Sequence, residues 1–442
     1  MRYTPHTESD LRRALEVIGV ESTDALFADI PAELQSPEID LPAGLDEVAL
    51  VRHLRGLARK NVEGELNFLG GGMQTHYHPA VVDALTFQSE FVTAYTPYQP
   101  EVSQGELQAT FEFQSAMVEL TGLDVSNASM YDGASATAEA ALLAMRQTGR
   151  NTLLVSRGVH PEYRQTLATY LEAVGGQLET LDLEESLTPT TVHVGTHVAG
   201  VIVQNPNFLG SLEDMQALSD AAHASGALFV AVVDPLSLAI IQTPGEYGAD
   251  IAVGDGQLGG NHPNLGGPTY GFMVVKEQLI RQMPGRLCGV TTDVDGRRAF
   301  VLTLQAREQH IRRAKAKSNI CSNHQLMALQ SVIYLSALGP QGLQEMATGS
   351  AIQAGKLEAL LRDRGFEVIS RDFLNEFALR LPAAPELLRR KLAERGIHAL
   401  VPVPAEYGLG HAALLCATEL HSDADLETLA NALEAVVQET NA

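Results

Sequence analysis

Apolar and polar residues alternate along the middle of the chain as strands and helices that follow one another. Continuous apolar runs, such as Val198 to Val203, predict strands buried on both faces. We expect strands at 152–156, 177–183, 198–204, 227–233, 249–253 and 270–275, and helices at 103–121, 134–148, 160–174 and 211–225. Because such crossover units are right-handed, this order predicts an α/β fold with a mainly parallel sheet and helices on both faces.

The first residues, 1–62, differ in character from the strand–helix region and predict an N-terminal helical arm. One helix is expected to begin after Thr7 or Ser9 and to stop at Gly19, and a second covers Leu45 to Lys60. Two helices cannot bury both of their apolar faces alone, so we expect this arm to pack on a neighbouring body.

The rest of the chain is expected to form a large α/β domain at 63–310, followed at 311–442 by linking helices and a small C-terminal α/β domain. A long helical pattern extends from about Phe300 to Arg364. In the small domain we expect strands near 366–370, 375–381 and 412–417, and helices at 385–395 and 422–438.

The bulk composition restricts the possible partners. A net charge of −24 over 442 residues disfavours nucleic acid, which binds through clustered Lys and Arg. The polar N-terminus lacks a secretory signal, and the longest apolar runs are far short of the roughly 20 residues of a membrane span. Three widely spaced cysteines are typical of a reducing compartment. We therefore expect a cytoplasmic protein.

The strand and turn pattern is that of a domain that binds pyridoxal phosphate (PLP), but a key residue is missing. Asp234 ends an apolar strand, and a glycine-rich turn follows from Gly254 to Gly271. An enzyme of this kind holds PLP as a Schiff base on a lysine near that turn. No lysine occurs between Lys60 and Lys276, so the chain is predicted to lack a cofactor lysine of its own.

Two segments at predicted strand ends have the chemistry of a PLP site. At Asp132 to Thr137, backbone N–H groups and the hydroxyls of Ser135 and Thr137 meet at the start of a helix, which suits a phosphate. The alternative is an ordinary N-cap. Asp234 has the position of the anionic partner of a pyridinium nitrogen, and the alternative is a turn aspartate before Pro235. For this chain both are vestigial candidates.

The segment Thr93 to Glu101 contains two prolines and two tyrosines. Because proline fixes its own φ and restricts the residue before it, this loop is expected to be stiff. Such a loop suits the completion of a site on a partner, and an amphipathic surface loop is the alternative. His76 and His78 would lie on one side of an extended segment, but no carboxylate or cysteine partner is evident, so we predict no metal site.

Eight segments in order resemble one family, subunit 1 of the glycine cleavage system P protein. The segments are Arg2–Thr7, Thr93–Gly105, Tyr131–Ala134, Val159–Arg164, Gln204–Phe208, Asp234–Leu238, Arg281–Arg286 and Ser318–Cys321. The resemblance covers nearly the whole chain. It weakens from Leu258 to Leu265 and at Ala314 and Lys317.

The resemblance implies a fold-type-I PLP-dependent transferase-like scaffold that works with a second subunit. Subunit 2 would carry the lysine and PLP, in a heterodimer or a dimer of heterodimers. Together the two would decarboxylate glycine and pass the aminomethyl group to the lipoyl group of the H protein. This chain alone would be inactive and would contribute to the site at the interface, with Tyr95, Tyr98, Glu101 and Gln104 as candidates.

Two other functions remain open at the level of sequence. A self-sufficient PLP-dependent lyase or aminotransferase would have to use Lys276, which follows the apolar strand Gly271 to Val275. A non-catalytic scaffold subunit would stabilise its partner and touch no substrate.

Overall fold

The computed structural model describes residues 6–35, 40–61, 65–93, 96–264 and 266–441. The chain divides into two compact units, Met1–Gly64 and Glu65–Ala442. The helices are α1 Glu8–Ile18, α2 Glu47–Ala58, α3 Ala80–Thr86, α4 Gln104–Thr121, α5 Gly133–Thr148, α6 Pro161–Val174, α7 Met215–Ala224, α8 Gln309–Arg312, α9 Gln325–Asp363, α10 Pro385–Ala393 and α11 Asp423–Asn441. The strands are β1 Leu66–Asn67, β2 Val125–Ser126, β3 Thr152–Ser156, β4 Gln177–Leu181, β5 Val198–Asn205, β6 Leu228–Val233, β7 Ile251–Asp255, β8 Gly271–Val275, β9 Cys288–Thr292, β10 Arg298–Leu302, β11 Glu367–Val368, β12 Glu376–Arg380, β13 Ile397–His398, β14 Val401–Pro402 and β15 Ala412–Cys416.

The first unit contains the two helices expected of the arm. The hydroxyl of Thr7 accepts from the backbone N–H of Asp10 and closes a capping box at the start of α1, and Gly19 ends the helix at φ 85°. Every residue of α1 and α2 keeps solvent exposure. The exposed residues include apolar ones, and Val48 of α2, for example, is 68% exposed. The arm therefore presents apolar surface for which its own short helices provide no core.

The second unit is built on a seven-stranded sheet with the order β2-β8-β7-β6-β5-β3-β4. The strands from β7 to β4 are mutually parallel, and β8 runs antiparallel to both β7 and β2. Both faces are covered. Along β6, Phe229 and Ala231 point into the core shared with α4 and α7, while Val230 and Val232 point into the core shared with α5 and α6. This strand order confirms the predicted α/β fold with a mainly parallel sheet. The strands are continuous apolar runs because both faces of the sheet are buried.

A second sheet of four antiparallel strands, β11-β12-β15-β14, has a core of its own. Helices α10 and α11 and the C-terminal part of α9 pack on it through residues such as Leu357, Leu388 and Leu429. Strand β1 pairs in parallel with β13, which ties the start of this unit to the C-terminal part of the chain.

The helical stretch expected from Phe300 to Arg364 is wrong in its first part. Residues 288–302 form the antiparallel hairpin of β9 and β10, in which Phe300 and Leu302 are buried. Alternate burial at this spacing belongs to a strand, and short turns follow before α9 begins. Helix α9 is itself interrupted at Gly339, whose φ of 64° suits glycine, just before Pro340, which has no N–H to donate.

Within the described parts of the chain, none of the helices combines the length and the apolar character needed to cross a membrane.

Candidate functional site

A small cavity lies beyond the carboxyl ends of β5, β6 and β7, where parallel α/β sheets place their ligands. Its volume is about 100 Å³. Asp234 follows β6, Asp255 ends β7, and Glu376 reaches the cavity from β12 of the second sheet. Because these three carboxyl groups share its wall, we call it the acidic cavity.

Glu376 is the most thoroughly bound of the three. Its Oε1 accepts from the backbone N–H of Gly71 at 2.9 Å, and its Oε2 accepts from Nε2 of Gln74 at 2.9 Å. Burial raises the pKa of Glu376 to about 7, against these two hydrogen bonds, and the charge of Asp234 adds to the increase. A Cβ atom at Gly70 would lie 2.4 Å from Oε2, so the backbone reaches the carboxyl group only because glycine stands there.

The two aspartates are held by backbone N–H groups. Asp255 Oδ1 accepts from the N–H of Gln257 at 2.9 Å and from the hydroxyl of Thr269 at 2.7 Å. Asp234 Oδ1 accepts from the N–H of Leu236 at 2.8 Å, which is a turn contact. Burial raises the pKa of both carboxyl groups. Asp234 thus lies at the predicted strand end and lines the cavity, while its carboxylate also stabilises the local turn.

The segment Asp132 to Thr137 starts α5 as expected, and the protein's own carboxylates occupy that helix terminus. Asp132 Oδ1 accepts from the N–H of Ser135 at 2.7 Å, and Asp255 Oδ2 accepts from the N–H of Gly133 at 3.2 Å. The hydroxyl of Thr137 donates to the carbonyl of Gly133 at 2.8 Å. A phosphate placed here would have to displace these carboxylates from the N–H groups.

The residues of the acidic cavity do not fit PLP. Pockets that bind small molecules have volumes of about 300–1,000 Å³, several times the space present. Among the described residues, neither lysine nor arginine lines the cavity, so its wall offers neither an amine for an imine nor a cation for a phosphate. Asp234 has the position that suits a ring nitrogen, but the remaining wall adds two further carboxyl groups, those of Asp255 and Glu376, instead of a cation. The chemistry of the donor set therefore agrees with the missing lysine.

Lys276 lies at the opposite edge of the sheet. Strand β8 runs antiparallel to β7, with Val275 beside Ile251, so its carboxyl end reaches the edge where the parallel strands begin. There Nζ of Lys276 donates to Oδ1 of Asp250 at 2.8 Å and to the carbonyl of Gly248 at 2.9 Å. This geometry disfavours the hypothesis that Lys276 forms an imine beside Asp234.

The described residues of the segment Thr93 to Glu101, here called the tyrosine loop, lie outside the acidic cavity, and Tyr98 contacts Arg286. Tyr95 lies outside the described residues. The phenol oxygen of Tyr98 accepts from the guanidinium of Arg286, which also lies 4.8 Å from the centre of the phenol ring. Gln104 exchanges two hydrogen bonds of 2.9 Å with the backbone of Phe300, and Glu101 is exposed. The Gln104 amide thus fixes the start of α4 on β10.

Several residues of the cavity escaped the sequence analysis. Gln74 and Glu376 are 302 positions apart, and they become partners only when the second sheet meets the first. His160, at the start of α6, approaches the carbonyl of Gly71 with Nε2 at 2.9 Å. An acidic residue at the start of an apolar strand, as in Glu376-Phe377-Ala378, was the one local signal that the sequence contained.

Comparison with known proteins decides the family. The family model described as "Glycine cleavage system P-protein" matches residues 1–433. The chain belongs to this family. A relative from Moorella thermoacetica is 47% identical, with 99% of this chain and 100% of the relative covered, and is described as "Probable glycine dehydrogenase (decarboxylating) subunit 1". A relative from Geotalea daltonii with the same description is also 47% identical, over 98% of this chain and 100% of the relative.

Solved structures agree with this P-protein assignment. A crystal structure of glycine decarboxylase (P-protein) of the glycine cleavage system, in inhibitor-bound form, superposes with a TM-score of 0.94 at 57% identity and covers 99% of this chain and 100% of its own. A cysteine desulfurase from Thermococcus onnurineus superposes with a TM-score of 0.63 at 14% identity, with 85% of this chain and 95% of its own covered. The second likeness concerns the fold alone. The fold is that of the fold-type-I PLP-dependent enzymes, as the resemblance implied.

Proposed function

We propose that this chain is the subunit of a two-subunit glycine decarboxylase that does not carry the cofactor. The observation that carries the proposal is the full-length match to P-protein relatives described as subunit 1, in a chain whose cavity lacks an imine lysine. With a second subunit, the chain decarboxylates glycine and delivers the aminomethyl group to the lipoyl group of the H protein.

The same proposal assigns PLP to subunit 2, the partner. Two features support this division of labour. Among the described residues, neither lysine nor arginine lines the acidic cavity, and Lys276 is engaged with Asp250 at the opposite edge of the sheet. The catalytic site then lies on the partner, and this chain contributes residues to its wall.

The candidates for that wall are Tyr95, Tyr98, Glu101 and Gln104. Support comes from Tyr98, which is 40% exposed and is oriented by Arg286, so that its phenol needs little ordering to meet a partner. Gln104 contributes by holding the loop on Phe300. The exposed apolar residues of α1 and α2 offer a further contact surface for subunit 2.

The proposal includes the organisation and location of the protein. Residues 63–310 would act as the large domain and 311–442 as the linking helices and small domain, which is supported by the separate core of the second sheet. The two subunits would assemble as a heterodimer or a dimer of heterodimers in the cytoplasm.

Co-purification and reconstitution test the proposal. The untagged chain, isolated from its native cell under mild conditions, should co-purify in equal amount with a homologous subunit that contains the imine lysine. Neither subunit alone should catalyse glycine-dependent CO₂ exchange, and the mixture should. Exchange by this chain alone would contradict the assignment.

A further inference from the structure

Three side chains from two parts of the chain meet at the turn that follows β7. His78 precedes α3, Asp83 lies within α3, and His262 lies within the glycine-rich turn. Nε2 of His78 is 3.1 Å from Asp83 Oδ1, and Nε2 of His262 is 3.0 Å from Asp83 Oδ2. The imidazole rings of the two histidines lie 3.9 Å apart between centroids. One atom from each of the three residues lies within 4.8 Å of the others.

These separations are close to those of a metal site. A tetrahedral Zn²⁺ ion with ligands at about 2.0–2.1 Å places neighbouring ligand atoms roughly 3.3 Å apart. The two nitrogen–oxygen distances are shorter than this by only a few tenths of an ångström. Two imidazoles and one carboxylate form a donor set that borderline divalent ions prefer.

A buried amide chain orients the carboxylate. Nε2 of Gln330 donates to Oδ1 of Asp83 at 3.1 Å, and Nδ2 of Asn261 donates to Oε1 of Gln330 at 3.1 Å. Both amide side chains are buried, with Gln330 3% exposed and Asn261 4% exposed. Outer hydrogen bonds of this kind hold metal ligands in one orientation and raise their affinity. A solvated surface cluster would not require such support.

Access and space are also present. The side chain of His78 is 14% exposed, and those of Asp83 and His262 are 43% and 41% exposed, so an ion can enter from solvent. A cavity of about 30 Å³ adjoins His78 and His262, which is enough for a water molecule on the ion. Three protein ligands with a free position correspond to an open site.

We propose that His78, Asp83 and His262 bind one Zn²⁺ ion or a similar first-row divalent ion. The proposal differs from the sequence prediction of no metal, in which His76 and His78 had no evident carboxylate partner. The structure brings Asp83, five positions after His78, to the Nε2 atom of that histidine. The ion would join α3 to the turn after β7 and would stabilise the folded chain through binding to it. The proposal is independent of the function proposed above.

The full-length chain, without an affinity tag and first treated with a chelator, should be titrated calorimetrically with ZnCl₂. We expect one equivalent to bind to the parent chain. His262→Ala and Asp83→Asn should each weaken that binding more than about tenfold. Loss of a residue that only hydrogen-bonds a metal ligand already lowers the affinity by about this factor, and loss of the ligand itself should cost at least as much. His223→Ala is the matched control, because His223 pairs with Asp250 at 2.8 Å without belonging to the cluster, and it should bind Zn²⁺ as the parent chain does.

Co²⁺ provides a second measurement that reports geometry. Visible d–d bands of tetrahedral or five-coordinate Co²⁺ should appear in the parent chain and in His223→Ala, and should be lost in His262→Ala. Circular dichroism establishes that each variant is folded. Absence of stoichiometric binding by the folded parent chain, or equal binding by the parent and all variants, would overturn the proposal, since the cluster would then be a hydrogen-bonded His–Asp–His group only.

Discussion

Lys276 and Asp250 form an ion pair of 2.8 Å at the edge of the large sheet opposite the acidic cavity. The Asp250 side chain is only 5% exposed, and it also accepts from Nε2 of His223 and from the backbone N–H of Phe229. Lys276, the next lysine after Lys60 in the chain, therefore neutralises a buried carboxylate. It is thereby separated from the strand ends at which this fold binds ligands.

Lys276→Met should destabilise the chain without reducing catalysis. Loss of the ammonium leaves a buried carboxylate short of a partner, and we expect the free energy of unfolding to fall by about 1–3 kcal/mol. Urea denaturation measures this. The reconstituted pair should retain full glycine-dependent CO₂ exchange. Lys356→Met is the control, because Lys356 and Asp423 are 47% and 74% exposed and their pair should contribute less than about 1 kcal/mol.

Glu376→Gln should change how stability depends on pH. The unfolded carboxyl group has a pKa of 4.5, and burial raises it to about 7 in the folded chain. Between these pH values the folded state retains a proton that the unfolded state has released, so the parent chain loses stability as pH rises through this window. The variant lacks this loss. Relative to the parent, its free energy of unfolding should increase by about 2–3 kcal/mol from pH 4.5 to 7.5.

Glu419→Gln is the control with the opposite sign. Burial alone would raise the pKa of Glu419, but hydrogen bonds from His76, Tyr77 and Ser350 outweigh it and lower the pKa. Its stabilising contribution is present above the unfolded pKa and disappears as pH falls through the folded pKa. Relative to the parent, this variant should therefore become less stable as pH rises from the lowered folded pKa of Glu419 to its unfolded value of 4.5. Parallel pH profiles for the two glutamine variants would show that the protonation states are assigned wrongly.

Tyr98→Phe should lower the activity of the reconstituted pair. The substitution keeps the ring beside Arg286 and removes the phenol oxygen, so that the phenol can no longer hydrogen-bond in the partner's site. One hydrogen bond of about 1 kcal/mol in the transition state corresponds to roughly fivefold in rate. Glycine-dependent CO₂ exchange is the measurement. Tyr77→Phe, a change at another exposed tyrosine, is the control and should be neutral. Unchanged exchange in Tyr98→Phe and in Tyr95→Phe would favour a scaffold role for the loop.

Gly133→Ala should be strongly destabilising. A Cβ atom at Gly133 would lie 2.1 Å from the Tyr163 hydroxyl and 2.8 Å from the backbone nitrogen of Asp255. We expect a loss of about 2–3 kcal/mol in the free energy of unfolding, as for an overpacked core. Gly105, also in the first turn of a helix, has no atom within 4 Å of such a Cβ. Gly105→Ala should be neutral or stabilise by up to about 1 kcal/mol.

The parallel strands were predictable because burial on both faces leaves a signal within the sequence of each strand. Strands buried on both faces are apolar along most of their length, and the run from Val198 to Val203 in β5 shows this directly in the sequence. The hairpin of β9 and β10 was missed because its alternation is short, and exposed residues such as Val290 weaken it. Helix α9 begins only at Gln325, because the missed hairpin and the short turns after it occupy the start of the stretch that was predicted to be helical.

The candidate site was only half predictable. Asp234 could be placed at a strand end because parallel strands share one edge, which is a property of the topology. The partners of Glu376 could not be found, since Gly71 and Gln74 lie some three hundred positions earlier in the chain. The carboxylate next to His78 is likewise joined to His262 only by the fold. Contacts between distant segments leave no periodic signal.

Borohydride reduction of the reconstituted two-subunit enzyme in the presence of PLP tests the division of labour most directly. Mass spectrometry of the peptides then locates the phosphopyridoxyl group. We predict that it is attached to a lysine of the partner subunit and that this chain, Lys276 included, is unmodified. An adduct on Lys276, or on any other lysine of this chain, that forms in proportion to activity would contradict the account.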